Sequence, residues 1–131
     1  MFPRILDQIA EIMTKNPVTI DSGKLFIDAA RLMDEKNIGG LIVVENGKCV
    51  GLVTERDFLC LAAAGIDTRT TPVKQHMTKP VVTCSPSAKI VEAYVLMRKN
   101  RVRHLPVLEK DGKPVGMVTM RDLLAIGELR L

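Results

Sequence analysis

The sequence predicts an α/β fold built from two tandem β-α-β-β-α repeats with pseudo-two-fold symmetry. Three observations lead there. A heptapeptide of the form Gly-x-Val-Thr-x-Arg-Asp occurs twice, at Gly51–Asp57 and Gly116–Asp122. A longer pattern surrounds each copy: Met13-Thr14-Lys15 returns 64 residues on as Met77-Thr78-Lys79, and Val18-Thr19 as Val82-Thr83. Short apolar runs ended by turn signals alternate with stretches of helical period in both copies. A repeat of this kind governs the reading of the whole chain.

The elements follow in order. Ile5, Leu6, Ile9, Ile12 and Met13 fall on one side of a helical wheel, so residues 5–13 are expected to form a short amphipathic helix covering part of the core. Val18–Ile20 reads as a strand. Asp21-Ser22-Gly23 offers a capped helix start, with the helix running to about Asn37 and Leu25, Ala29, Leu32 and Met33 inward. Leu41–Val44 and Cys49–Thr54 form a hairpin around Asn46-Gly47. A helix from Glu55 to about Ala64 ends at Gly65. The polar stretch 66–76 is the connector. In the second copy, Ser85-Pro86 signals a helix from about Ser87 to Asn100. Leu105–Leu108, a turn at Lys110–Gly112, Pro114–Thr119 and a helix from Met120 to about Ile126 complete it. The repeats are thus assigned to 12–65 and 77–127, within one module spanning 1–131.

Bulk properties narrow the function. Hydrophobic residues make up 47% and charged residues 26%, a globular composition. One repeat alone would bury too little apolar surface, so the two are expected to share one domain. The net charge of +4 suits an anionic small ligand and permits weak contact with nucleic acid. Aromatics at 3% supply few stacking platforms for single strands. Cys49, Cys60 and Cys84 are odd in number and form no Cys-x-x-Cys, which favours a reducing cytoplasm. They read as small core residues. With His76 and His104 they make no metal-ligand spacing. No apolar stretch approaches the roughly 18 residues of a membrane span. The start Met1-Phe2-Pro3-Arg4 is not that of a secretory signal.

The candidate chemistry lies in the doubled motif. Thr54-x-x-Asp57 and Thr119-x-x-Asp122 are capping-box-like helix starts, and that structural role is sufficient for either copy alone. Two copies in register, each after a Gly-hydrophobic-Val strand, add a second reading. A helix N-terminus is a natural phosphate site, and a nearby Asp can accept from both hydroxyls of a ribose. Arg56 and Arg121 share that turn and are placed to grip a phosphate. The run Arg98–His104 puts cations at a helix C-terminus, with Arg103 and His104 past it as ligand candidates. Their counterparts are Gly39 and Gly40, so the two half-sites are expected to differ. Phe58–Ala64 is too apolar for a helix with a wet face, and Leu123, Leu124 and Ile126 echo it. Burial and a subunit interface both account for this. No nucleophile–histidine motif asks for catalysis.

The doubled unit, with Gly-hydrophobic-Val-Thr-x-x-Asp closing each hairpin, resembles the CBS (cystathionine β-synthase) domain, and the pair resembles a Bateman module. The likeness covers about residues 12–126. It includes the Met-Thr-x-x-x-Val-Thr openings and the Leu105-Pro106-Val107 strand. The resemblance implies a regulatory module that binds adenosine ligands in two clefts: AMP, ADP, ATP or S-adenosylmethionine. It implies that Asp57 and Asp122 hold ribose hydroxyls and that Thr54 and Thr119 contact the ribose-phosphate region. Ile38-Gly39-Gly40 and Val102-Arg103-His104 would line the adenine and phosphate region, with Lys15 and Lys79 assisting. It further implies a homodimer through the closing helices and a regulated partner protein, with no cofactor required; the sequence departs from the family pattern in showing no attached enzyme, channel or DNA-binding domain, so the partner is expected to be separate. Two other classes stay open: an interaction or DNA-associated module with vestigial clefts, and a nucleotide hydrolase.

Overall fold

The structure is a computed structural model that describes residues 6–130, with side chains to residue 126. In chain order the elements are a 3-10 turn Ile9–Glu11, β1 Thr14–Lys15, β2 Thr19–Asp21, α1 Phe26–Lys36, β3 Gly40–Glu45, β4 Lys48–Thr54, α2 Glu55–Ala64, α3 Val73–His76, α4 Ile90–Asn100, β5 His104–Leu108, β6 Pro114–Thr119 and α5 Met120–Arg130. They divide into two compact units, Val18–Val81 and a second made of Met1–Pro17 with Val82–Leu131. The two sheets and their helices have the mixed α/β character expected. No helix among the described residues is long and apolar enough to cross a membrane.

In the unit Val18–Val81 the sheet order is β2-β3-β4, with β2 parallel and β4 antiparallel to β3. Parallel pairing of β2 and β3 requires a crossover, which α1 supplies. The turn between β3 and β4 has Asn46 at φ 51° and Gly47 at φ 77°, the left-handed pair that a two-residue hairpin needs. Leu41, Val43 and Val53 pack with Phe26, Ala29 and Met33 in one core cluster. Ile42 and Leu52 are buried as well, so β3 shows none of the alternation of a strand with one wet face. α2 ends where Gly65 turns left-handed at φ 71°.

Helix α1 begins later than the Asp21-Ser22-Gly23 signal suggested. Ser22 Oγ instead donates to Glu45 Oε1, and Asp21 Oδ1 accepts from the Gly23 amide in a local turn. The helix starts after Leu25, whose amide donates to Asp28. The connector is not wholly polar. Val73 is fully buried, Thr71 is buried, and the Phe26 amide donates to the Thr71 carbonyl. A single turn of helix, α3, carries Val73 into the core.

In the other unit the order is β1-β6-β5, antiparallel throughout. Ile9, Ala93, Met97, Leu105, Val107 and Val118 form its core. The expected helix over 5–13 is absent from the described part, and Ile5 lies outside it. Ile9 does reach the core, but the Ile9 and Ala10 amides donate to the carbonyls of Ala88 and Pro86. These bonds replace a helical ladder and leave only a 3-10 turn. The same bonds, with the Ile90 amide donating to the Asp7 carbonyl, hold residues 86–88 in a turn closed by the Ala88 amide on the Ser85 carbonyl and leave Lys89 extended, so α4 starts at Ile90 and not at Ser87. Val82-Thr83 forms no strand; a parallel bridge from Cys84 to Val107 stands in its place.

The opening segments are exchanged between copies. β1, which precedes the first copy, pairs with β6 of the second: Thr14 opposes Met117 and Lys15 opposes Gly116. Thr78, which precedes the second copy, exchanges both backbone hydrogen bonds with Leu52 of the first, at 2.8 and 3.1 Å. This explains two repeated residues at once. A Cβ on Gly51 would come 2.8 Å from Met77 Cγ, and one on Gly116 would come 2.8 Å from Met13 Cγ. Gly51→Ala and Gly116→Ala are each expected to destabilise by on the order of 1 kcal/mol, the low end for overpacking because a thioether side chain can shift. Denaturant unfolding of Gly51→Ala alone and combined with Met77→Ala measures the coupling. An alanine penalty that survives removal of Met77 would contradict this contact.

Candidate functional site

Each closing helix grows directly out of a strand, and this places the predicted residues. In the unit Val18–Val81, Thr54 ends β4 and caps α2. Its amide donates to Asp57 Oδ2 at 2.8 Å, and its hydroxyl approaches the same oxygen at 3.4 Å. The Glu55 amide donates to the Gly39 carbonyl at 3.2 Å, and Gly40 opposes Thr54 across the hairpin. Ile38-Gly39-Gly40 therefore lies against the N-terminus of α2. Arg56 is exposed on its first turn. Thr78, carried in by the exchanged segment, donates from its hydroxyl to Asp57 Oδ1 at 3.0 Å, and Lys79 follows it, exposed.

The other unit builds the same corner. The Thr119 amide donates to Asp122 Oδ2 at 2.8 Å, and the Asp122 amide donates back to Thr119 Oγ1 at 3.3 Å. The Met120 amide donates to the Arg103 carbonyl at 2.9 Å, and His104 opposes Thr119. Val102-Arg103-His104 thus occupies the place of Ile38-Gly39-Gly40. Arg103 and Arg121 are exposed, and His104 is half-buried. Lys15 sits in β1 opposite Gly116.

Both capping boxes are therefore real, and the capping role expected of either copy alone is present. It leaves the two carboxylates unequal. Asp57 has both oxygens engaged, one by its cap and one by Thr78. Asp122 spends Oδ2 on its cap, while Oδ1 makes no hydrogen bond to the described residues. Thr78 was legible only as half of the Met-Thr-Lys repeat. Its contact with Asp57 depends on the segment exchange, which no local pattern announces.

Other candidates resolve differently. Arg101 is the left-handed cap of α4 at φ 55°. Arg98 lies over the Tyr94 ring, with its Cζ 5.8 Å from the centroid. Phe58 is half-buried, edge-on to Phe26 with centroids 5.7 Å apart, and so belongs to the core of its unit. Leu61 is buried, while Leu59 is 68% exposed. No group of His, Cys, Asp and Glu among the described residues could hold a metal. Two surface grooves, one lined by Tyr94, Val95, Arg98 and Lys99 and one along β2 and α1, include none of the proposed ligand residues.

The cysteines are not all core residues. Cys60 is exposed on α2, where it is turned about 100° away from the buried Leu61, whereas Cys49 and Cys84 are half-buried. Burial pushes the Cys84 thiol up to about 11. It also raises Cys49, against a smaller opposing effect of its hydrogen bond to the Gly51 carbonyl. The thiolate is the reactive form. At pH 8, iodoacetamide should therefore modify Cys60 first and Cys84 far more slowly, as followed by mass spectrometry. Equal rates at the two would contradict the buried environment of Cys84.

Comparison with known proteins matches the chain to the CBS domain family model twice, over residues 9–63 and 73–128. The chain is 37% identical over 113 residues to an inosine-5'-monophosphate dehydrogenase of Nitrosopumilus maritimus, covering 86% of this chain but only 22% of that enzyme. A protein with CBS domains from Burkholderia ambifaria MC40-6 superposes with a TM-score of 0.83 at 33% identity, covering 91% of this chain and 90% of that one. The CBS domain pair of protein MJ0100, in complex with 5'-methylthioadenosine and S-adenosyl-L-methionine, superposes with a TM-score of 0.84 at 26% identity, covering 92% and 98%.

Proposed function

We propose, from the premise that this chain belongs to the CBS domain family, that it is a regulatory module binding an adenosine ligand without catalysis. The ligands it suits are AMP, ADP, ATP and S-adenosylmethionine. The observation that carries this reading is the twice-built corner in which a carboxylate, a threonine and a neighbouring glycine or arginine backbone meet at a helix N-terminus. Asp122 and Asp57 accept from the ribose hydroxyls. Thr54 and Thr119 meet the ribose-phosphate region. Arg56, Arg121, Arg103 and His104 provide positive charge for phosphates, with Lys15 and Lys79 beside them. The adenosine ligands of the MJ0100 pair support this ligand class. The module acts in the cytoplasm as a homodimer, joined through the exposed apolar faces of α2 and α5 that carry Leu59 and Leu124. It passes its ligand state to a separate partner protein.

Calorimetric titration with AMP, ADP, ATP, S-adenosylmethionine and NAD tests this. Saturable binding of an adenosine ligand supports it, and absence of heat with all five overturns it. The unequal carboxylates predict that the Asp122 half-site fills first. Thr78→Val, which frees Asp57 Oδ1, is expected to tighten the Asp57 half-site roughly fivefold, the equivalent of one ordinary hydrogen bond. An unchanged second binding step in this variant would remove Thr78 as a competitor.

A further inference from the structure

We infer that β2 is a docking edge for an extended segment of a partner protein, which adds as a fourth strand in the groove between β2 and α1. Parallel pairing turns the backbone of Val18, Ile20 and Ser22 toward β3. The Ile42 amide donates to the Val18 carbonyl, and the Ser22 amide donates to the Val44 carbonyl. Thr19 and Asp21 therefore face away from β3. The Lys24 amide takes the Asp21 carbonyl. The Thr19 amide, the Thr19 carbonyl and the Asp21 amide make no hydrogen bond among the described residues. The opposite edge of this sheet is occupied, since Thr78 bridges to Leu52 of β4. The free edge does not lie on a flat surface, because α1 walls it and closes one side of a groove.

The walls select the occupant. Ile20 and Leu32 line the groove, the first buried and the second half-buried. A guest residue opposite Ile20 shares its face of the sheet, packs on this pair and must be apolar. The next guest residues on that face stand two positions away on either side. A crossover helix runs antiparallel to the strands it joins, so Asp28 stands toward the Asp21 end and Glu35 toward the Thr19 end. Asp21, Asp28 and Glu35 outnumber Lys24 and Arg31 along the groove, an acidic excess in a chain of net charge +4. Glu35 is exposed and has no ion pair among the described residues. The guest therefore carries a Lys or Arg two positions to each side of its apolar residue. Asp28 and Glu35 are about 10 Å apart along the helix, and the two basic residues are about 13 Å apart along a strand, a difference that long side chains absorb. A second copy does not fit, because pairing two β2 edges would set one acidic excess against the other. In this mode main-chain bonds give affinity and the side chains give specificity. The inference rests on the reading that the module acts on a separate partner, but not on the adenosine ligand.

Amide NMR titration with the synthetic peptide acetyl-Lys-Thr-Val-Thr-Lys-amide tests it. Saturable shifts at the Thr19, Asp21 and Leu32 amides are expected, with slowed hydrogen exchange at Thr19 and Asp21. N-methylation of both peptide threonines removes the donors that face β2 and should weaken binding about fivefold or more. Thr19→Pro removes the outward amide and leaves the β3 ladder intact, as edge strands tolerate, and should weaken binding to a similar degree. Glu35→Lys, at an exposed position that does not threaten the fold, should weaken it about fivefold. No shifts at millimolar peptide, or equal affinity for the N-methylated peptide, would overturn the inference. A fall in the chain's own association in Thr19→Pro would give the edge to a second copy and overturn it as well. Titration of AMP into the same sample keeps the two readings apart. AMP binding without peptide binding defeats this inference alone, and peptide binding without any adenosine ligand defeats the ligand reading alone.

Discussion

Phe26→Ala is expected to cost about 3–5 kcal/mol of folding stability, the largest single-residue effect in the molecule. Phe26 is fully buried at the first position of α1, in a cluster with Ala29, Leu41, Val43 and Val73. Its ring is perpendicular to that of Phe58, at 5.7 Å between centroids. Truncation removes the apolar contacts and leaves a cavity that the rigid β3 strand cannot fill. The edge-to-face pair is lost as well. The same helix start is tied to the connector by the Phe26 amide bond to Thr71. The substitution should therefore loosen α3 together with α1. Chemical denaturation gives the energy, and hydrogen exchange at the Val73 and Met77 amides gives the location. A loss below about 1 kcal/mol would mean that this cluster is not the core of its unit.

Asp122→Ala is expected to weaken AMP binding by about 1.5–3 kcal/mol, the range for a hydrogen bond to a charged group. This corresponds to roughly tenfold to more than a hundredfold in affinity. The substitution also removes the α5 cap, a separate cost of about 0.5–2 kcal/mol in stability. Asp122→Asn separates the two effects. Its side-chain oxygen can still accept from the Thr119 amide, but the charge is gone. Asn should therefore keep most of the stability and lose most of the affinity. Asp57→Ala should reduce affinity less, because Thr78 already holds Asp57 Oδ1. Equal losses at the two aspartates would show that the Thr78 bond gives way without cost.

The sequence made the local half of this structure readable. Asn46-Gly47 specified its hairpin, Gly65 its helix end, and Thr54-x-x-Asp57 its cap, because each depends on residues within a few positions of itself. The doubled motif pointed to both Thr-x-x-Asp corners, and Gly39-Gly40 and Arg103-His104 lie beside those corners in the fold. Features created by distant contacts were not readable. Nothing local says that Met13 packs on Gly116 or that Thr78 reaches Asp57. Residues 5–13 have helical periodicity, yet the Ile9 and Ala10 amides find partners at Ala88 and Pro86, and these tertiary hydrogen bonds override the pattern. Val73 hides in a polar connector because one buried side chain has no period. Cys60 lies on a helix rich in apolar residues, and only the rotation of α2 exposes it. The same rotation turns Phe58 inward and Leu59 outward, which sequence alone left undecided.

The central claim is that the two Thr-x-x-Asp corners bind the ribose of an adenosine ligand. Calorimetric titration of AMP into the wild-type protein and into Asp57→Ala/Asp122→Ala, with circular dichroism to verify the fold, tests it most directly. The account predicts saturable binding to the wild type and a loss of at least tenfold in the double variant, the lower end of the range for a charged hydrogen bond. Undiminished affinity in a folded double variant would contradict it and leave helix capping as the whole role of these carboxylates.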